Sequence, residues 1–140
     1  MIVLDTNVVS ELLRPAPAAQ VEAWLAAQDG ALVYFTAAGE AELRQGVAIL
    51  PAGRRRTALY GAIEGILEED FLGRILPFDR AAARAYAAIA AERRAAGRPI
   101  SQLDCQIASI AHAHHAAVAT RNTGDYEGCG IKVIDPWLPT

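Results

Sequence analysis

Asp5 closes the opening apolar run Ile2, Val3, Leu4, and five further acids stand where apolar runs end or helical patterns begin. Glu40 and Glu42 follow ALVYF, Asp79 follows RILPF, Asp104 comes three residues after Ser101, and Asp125 follows AVAT together with the neutral Asn122. Carboxylates gathered at one place repel and raise each other's pKa unless a cation neutralises them. Oxygen-only donors, with no cysteine or paired histidine nearby, favour Mg²⁺ or Mn²⁺ over zinc. A cation of that kind serves phosphoryl chemistry: it orients and deprotonates a water for in-line attack and offsets charge on the phosphate. No glycine-rich phosphate loop and no GxGxxG motif occurs, which weakens a P-loop or dinucleotide-binding reading.

Each acid also has a plain structural role to weigh against the chemical one. Asp104 fits the acidic member of a helix cap opened by Ser101, worth about 0.3 to 1 kcal/mol. Asp79 reads mainly as a cap for the Ala-rich stretch after it. Glu42 neighbours an apolar stripe and fits a solvated boundary residue; Glu40 has nearly the same claim, and periodicity does not separate the two. Asp5 is hardest to explain structurally, because a carboxylate closing a buried strand needs a partner.

The elements that must position these acids follow from the apolar pattern. Ile2 to Leu4 lack polar alternation and read as a strand buried on both faces, with Thr6, Asn7 and VVSELL turning into a helix. Pro15 and Pro17 break that helix, and Val21, Trp24 and Leu25 mark a second over 20–28. A strand is predicted over 31–35, and Thr36 caps a helix reaching about Leu50 with Leu43, Val47 and Leu50 on one stripe. Pro51 and Gly53 stop it; 54–72 reads as one long helix, RILPF as a short strand, 80–96 as a helix ended by Gly97 and Pro99, and Ser101 opens a last helix to about His114. AVAT and KVID complete the strands. Strands alternating with helices predict an α/β fold of three layers, with a mostly parallel central sheet of about five strands flanked by helices. Strand ends and helix starts then share one edge of the sheet, the edge where open α/β sheets bind ligands, and the acids collect there.

A chain of 140 residues with 53 % hydrophobic and 21 % charged residues is expected to make one domain over 1–140 with a sizeable core. No apolar run approaches the roughly 18 residues of a membrane span, and the N-terminus lacks a signal-peptide pattern, so the cytoplasm is expected. Cys105 and Cys129 make neither a disulfide framework nor a zinc spacing and read as free thiols. A net charge of −3 argues against a protein that coats nucleic acid with a basic surface. It leaves room for a local basic rim, for which Arg54, Arg55 and Arg56, with Arg14, Arg44, Arg93, Arg94 and Arg98, are candidates; the alternative is that they are solvated faces. Arg121, on the active edge, is placed either to hold a phosphate or to pair with an acid. His112 and His115 lie one turn apart but far from Asp104 along the helix and without further ligands; Trp24 and Trp137 read as packing residues.

Together, MIVLDTNVVSELLRP, AELRQGVAIL, GRILPFD, GRPISQLDCQIASIAH, VATRNTGDY and the closing DPW resemble the PIN-domain ribonucleases of the VapC toxin type, and most closely their FitB-like branch, over nearly the whole chain. The resemblance implies a Mg²⁺-dependent endoribonuclease, with Mn²⁺ as a substitute, held inactive by a cognate VapB-like or FitA-like antitoxin. It implies Asp5 and Asp104 as the main metal ligands and, through the AELRQG context, Glu42 as the third acid. Asn122 stands where some relatives carry an acid, so Asp125 is expected to contribute to the site, with Asn122, Thr6, Asn7 and Thr120 in support. It also implies a homodimer, with operator DNA reached only through the antitoxin. The competing function is a non-catalytic subunit of a DNA-binding toxin–antitoxin repressor complex.

Overall fold

The computed structural model describes residues 1–139. Five strands form one sheet: β1 (Ile2–Leu4), β2 (Val33–Thr36), β3 (Ile75–Leu76), β4 (Ala117–Ala119) and β5 (Val133–Ile134), in the order β3-β2-β1-β4-β5 with every neighbouring pair parallel. The helices are α1 (Thr6–Leu12), α2 (Ala19–Ala26), α3 (Ala37–Ala48), α4 (Arg54–Gly65), α5 (Arg80–Ala95) and α6 (Gln102–Ala113). This is the three-layer α/β arrangement expected from the alternation of apolar runs.

The absence of polar alternation in the strands is explained by two cores. In β1, Val3 points into a cluster with Ile89, Ile107 and Val118, while Leu4 points into the opposite cluster with Val8, Val21, Trp24 and Phe35. Successive strand side chains face opposite sides, so both of these positions are apolar because both faces are covered. Trp24 is core, as its helical spacing suggests.

Sequence pattern and structure differ at two places. The run ALVYF is not all strand: Gly30–Leu32 form a 3₁₀ turn whose start is held by the Asp29 carboxylate accepting the Ala31 N–H at 3.0 Å, so pairing begins at Val33. The segment 54–72 is not one regular helix either. Beyond Gly65 it widens into a π turn, Ile66–Asp70, with the Phe71 N–H reaching the Ile66 carbonyl at 2.9 Å. That wider turn ends with Leu67 and Phe71 in the same core, the Phe71 ring 5.8 Å from Phe35.

Caps fall largely where the sequence puts them. Thr36 Oγ1 accepts the Gly39 N–H at 2.9 Å, Asp79 accepts from Ala82 at 3.0 Å, and Ser101 Oγ accepts from Asp104 at 3.2 Å. Gly97 closes α5 with a φ of +73°, a conformation that favours glycine. Glu11 is a buried acid whose role is structural. It accepts the Ala18 N–H at 3.1 Å and pairs with Arg14 at 3.3 Å, bracing the Pro15–Pro17 turn.

Candidate active site

The sheet order reverses between β1 and β4, since β2 and β3 lie to one side of β1, and β4 and β5 lie to the other. A crevice opens at such a switch point beyond the strands' carboxyl ends. Asp5 follows β1 there and Thr120 follows β4, and the two strands are joined at this edge by the Asp5 N–H donating to the Ala119 carbonyl at 2.9 Å.

Asp5 is 6 % exposed and fully oriented. Its Oδ1 accepts the Thr6 N–H at 2.7 Å, which also caps α1, and its Oδ2 accepts the Thr120 hydroxyl at 2.7 Å. Thr120 Oγ1 in turn accepts from Asn7 Nδ2 at 3.1 Å and from the Asn122 N–H at 3.1 Å, while Asn7 Oδ1 accepts the Arg121 N–H at 3.3 Å. Four of the expected supporting positions therefore surround Asp5, three of them in one hydrogen-bonded chain, with Asn122 taking part through its backbone. Thr6 differs: its hydroxyl is buried with no hydrogen-bond partner among the described residues.

Asp104 reaches the same place from the first turn of α6. Tyr126, buried in the turn Thr123–Tyr126, donates its hydroxyl to Asp104 Oδ1 at 3.4 Å and faces Asp5 as well. Burial pushes Asp5 above the ordinary carboxylate value, opposed by the Thr120 and Thr6 hydrogen bonds and reinforced by the charge of Asp104. Burial likewise raises Asp104, and the nearby charge of Asp125 adds to it. Desolvation, followed by the charges of Asp5 and Asp104, drives the Tyr126 phenol far above its usual range, so it remains a proton donor. Asp125 itself is exposed at the rim, on a loop whose carbonyl oxygens are gripped by Arg93.

The two glutamates of α3 separate clearly. Glu40 is committed to Arg44 at 2.7 Å, and Arg44 also binds Glu64 at 2.5 Å, tying α3 to α4. Glu42 has no ion pair among the described residues and lines, with Thr6, a groove of about 800 Å³ between α1, α3 and α4 whose rim carries Arg14 and Arg55.

The basic rim is smaller than the sequence suggests. Arg93 is 7 % exposed and is an internal strut rather than a phosphate ligand: long helical runs of arginine do not reveal which one turns inward. Arg14, Arg44 and Arg98 are engaged with Glu11, with Glu40 and Glu64, and with Glu127. Arg54, Arg55 and Arg94 remain exposed. Among the described residues Arg121 pairs with no acid, yet it does not stand free; its guanidinium lies over the Trp137 ring, 5.1 Å from the centroid. Tyr126 and the inward Arg93 are the contributors that sequence patterning misses.

A PIN-domain family model matches residues 2–127. This chain belongs to the PIN-domain family. Among its relatives are the VapC ribonuclease Y4jK of Sinorhizobium fredii, 45 % identical over 99 % of both chains, and Toxin FitB of Neisseria gonorrhoeae, 43 % identical over 98 % of this chain and 99 % of the relative. The solved structure of FitAB bound to an IR36 DNA fragment superposes with a TM-score of 0.93 at 41 % identity, covering 100 % of this chain and 98 % of that one. This PIN domain is thus closely related to the VapC and FitB toxins of toxin–antitoxin systems.

The donors suit a hard cation of the kind on which PIN domains generally depend. Among the described residues no group of three or more His, Cys, Asp or Glu converges, so the nucleus of a site is the pair Asp5 and Asp104. Mg²⁺ keeps several waters and needs only one or two carboxylates from a protein. The Thr6 hydroxyl beside Asp5, unpartnered among the described residues, is a group that a hydrated ion or its water would satisfy. Among the described residues no helix is long and apolar enough to cross a membrane.

The raised acids give stability a pH dependence of known sign. A folded state that holds these protons more tightly than the unfolded chain is penalised as pH rises from the ordinary value of 3.8 through the raised folded values, and the penalty is constant above them. Urea unfolding of metal-free protein from about pH 4 to about pH 7 should therefore show the stability of the wild type falling relative to Asp5→Asn. Parallel curves for the two proteins would contradict the burial cost assigned to Asp5.

Proposed function

We propose that this PIN domain is the toxin of a type II toxin–antitoxin system, acting in the cytoplasm as a Mg²⁺-dependent endoribonuclease. The observation that carries the reading is the convergence of Asp5 and Asp104 on the Tyr126 hydroxyl at the sheet's switch point. Asp5 and Asp104 would hold the metal, which Mn²⁺ could also supply. When bound, the cation lowers the pKa of a water and offsets the charge that develops on the phosphate.

The chain's own residues then have separable roles. Thr120, with Asn7 behind it, and the Thr6 N–H keep both Asp5 oxygens fixed, so that little reorganisation is needed when substrate arrives. Glu42, free in the groove wall, receives a proton from the attacking water. Asp125 adds negative charge beside Asp104, with Asn122 as its neutral neighbour. Water attacks phosphorus, the bond from phosphorus to the 3′ oxygen breaks, and that oxygen takes up a proton from solvent, so the products carry a 5′-phosphate and a 3′-hydroxyl. The exposed Arg54 and Arg55 would meet the RNA backbone, and Arg121 would contact a phosphate once it leaves Trp137. The proposed partners are a VapB-like or FitA-like antitoxin, a second copy of this chain in a homodimer, and operator DNA reached only through the antitoxin.

The test is cleavage of end-labelled RNA by chelator-stripped protein, with and without Mg²⁺, alone and after addition of the antitoxin. Cleavage should require the metal and be suppressed by the antitoxin. Glu42→Gln should reduce it by about 100-fold or more, the usual scale for a proton-transfer group, whereas Glu40→Gln should leave it within a few fold. Equal losses in the two variants, or cutting that ignores the chelator, would overturn the assignment.

A further inference from the structure

Tyr126 is 1 % exposed, its ring belongs to the core cluster with Val3, Ile107 and Val118, and yet its hydroxyl emerges between two acids. We propose that Tyr126 is a positioning residue whose single hydroxyl proton orients Asp104 toward Asp5 and so sets how tightly the pair holds a divalent cation. The inference rests on the reading of Asp5 and Asp104 as the metal acids and adds a determinant of that site's affinity.

Two ionised carboxylates can only accept hydrogen bonds, whereas a phenol brings one donor to share between them. The O···O separation of 3.4 Å to Asp104 Oδ1 is long for a hydroxyl bond, and Asp5 faces the same hydroxyl. Asp5 does not depend on that proton, because Thr6 and Thr120 already fix both its oxygens. Asp104 does. Its other neighbour, the Ser101 hydroxyl, belongs to an exposed residue for which water competes, whereas Tyr126 is sealed from solvent. The turn carrying Tyr126 is itself anchored, since Arg93 donates to the Asp125 carbonyl at 2.8 Å and the Glu127 carbonyl at 3.0 Å, one residue to either side. The hydroxyl is therefore presented from a fixed frame, the condition under which an outer partner controls the orientation of a ligand.

The experiment is Mn²⁺ titration of the metal-stripped full chain, with free ion read by its electron paramagnetic resonance signal, for the wild type, Tyr126→Phe, Ser101→Ala and Asp5→Asn. Tyr126→Phe keeps the ring and its packing and should weaken Mn²⁺ binding by about 10- to 100-fold, the range for loss of an outer-shell partner. Ser101→Ala should weaken it less. A purely structural role would lower the melting temperature of Tyr126→Phe without moving the dissociation constant. An unchanged constant in Tyr126→Phe, or a larger effect from Ser101→Ala, overturns the inference while leaving the metal site intact, provided Asp5→Asn abolishes binding. A wild type that binds no Mn²⁺, or binds it equally after Asp5→Asn, overturns the metal reading and this inference with it.

Discussion

Asp5→Asn should remove RNA cleavage while leaving the protein at least as stable as the wild type. Loss of an outer-shell partner alone costs a metal site about 10- to 100-fold, so, on the proposed reading of Asp5 as a metal ligand, loss of its charge should cost more than about 100-fold in rate at fixed Mg²⁺. The fold should tolerate the change for local reasons. An asparagine carbonyl can still accept the Thr6 N–H that Asp5 Oδ1 accepts at 2.7 Å, which preserves the cap of α1. The other contact is altered: Thr120 Oγ1 already accepts from Asn7 and Asn122, so its proton has Asp5 Oδ2 as its destination and cannot be given to an amide nitrogen. Against that lost bond stands the removal of a buried charge that desolvation disfavours. The paired readouts are single-turnover cleavage and urea unfolding in chelator. An inactive variant that is also several kcal/mol less stable would mean that Asp5 acts as a structural cap, and an active one would remove it from the chemistry.

Much of this architecture is legible in the sequence because the determinants are local or periodic. The apolar run before Asp5, the caps Thr36, Asp79 and Ser101, and the breakers Pro51 and Gly97 each act within a few residues, and the elements begin or end beside them. The gathering of Asp5 and Asp104 follows from one rule about strand ends and helix starts in parallel sheets. The choice between Glu40 and Glu42 does not, because it depends on Arg44 reaching across to Glu64 on a different helix, a long-range pairing invisible to a periodicity of 3.6. The π turn at Ile66–Asp70 escapes for a similar reason. Its sequence is compatible with an ordinary helix, and the reward for widening lies in the contact between Phe71 and Phe35, on a distant strand.

Tyr126 shows the same limit within the site. One residue after an exposed acid in a polar loop, a tyrosine gives no sign that it points inward to meet carboxylates from β1 and α6. Only the closed loop between β4 and β5 places it there, and that closure depends on a residue from another helix.

That residue is Arg93, whose replacement should produce the largest loss of stability available from a single polar side chain here. Its guanidinium donates to the carbonyls of Arg98 at 2.6 Å, Asp125 at 2.8 Å and Glu127 at 3.0 Å, and touches Cys129 Sγ at 3.6 Å. The loop lies directly on its stem: Gly128 takes a φ of +78°, and a Cβ added there would sit 3.7 Å from Arg93 Cδ. Hydrogen bonds from a charged donor contribute about 1.5 to 3 kcal/mol each, but the freed carbonyls near the surface can recover water, so Arg93→Ala should cost about 3 kcal/mol in all. For a chain of this length that corresponds to a fall of about 10 °C in melting temperature. Arg93→Lys should recover less than half of it, because an ammonium on a flexible stem cannot span three carbonyls as a planar fork does. The loosening should be local before it is global: amide hydrogen exchange should accelerate first in the segment 123–129, and with it the site should lose the fixed presentation of Asp125 and Tyr126. A melting temperature within about 2 °C of wild type in Arg93→Ala would show that the loop holds its shape without the strut, and the preorganisation argued for Tyr126 would then need another source.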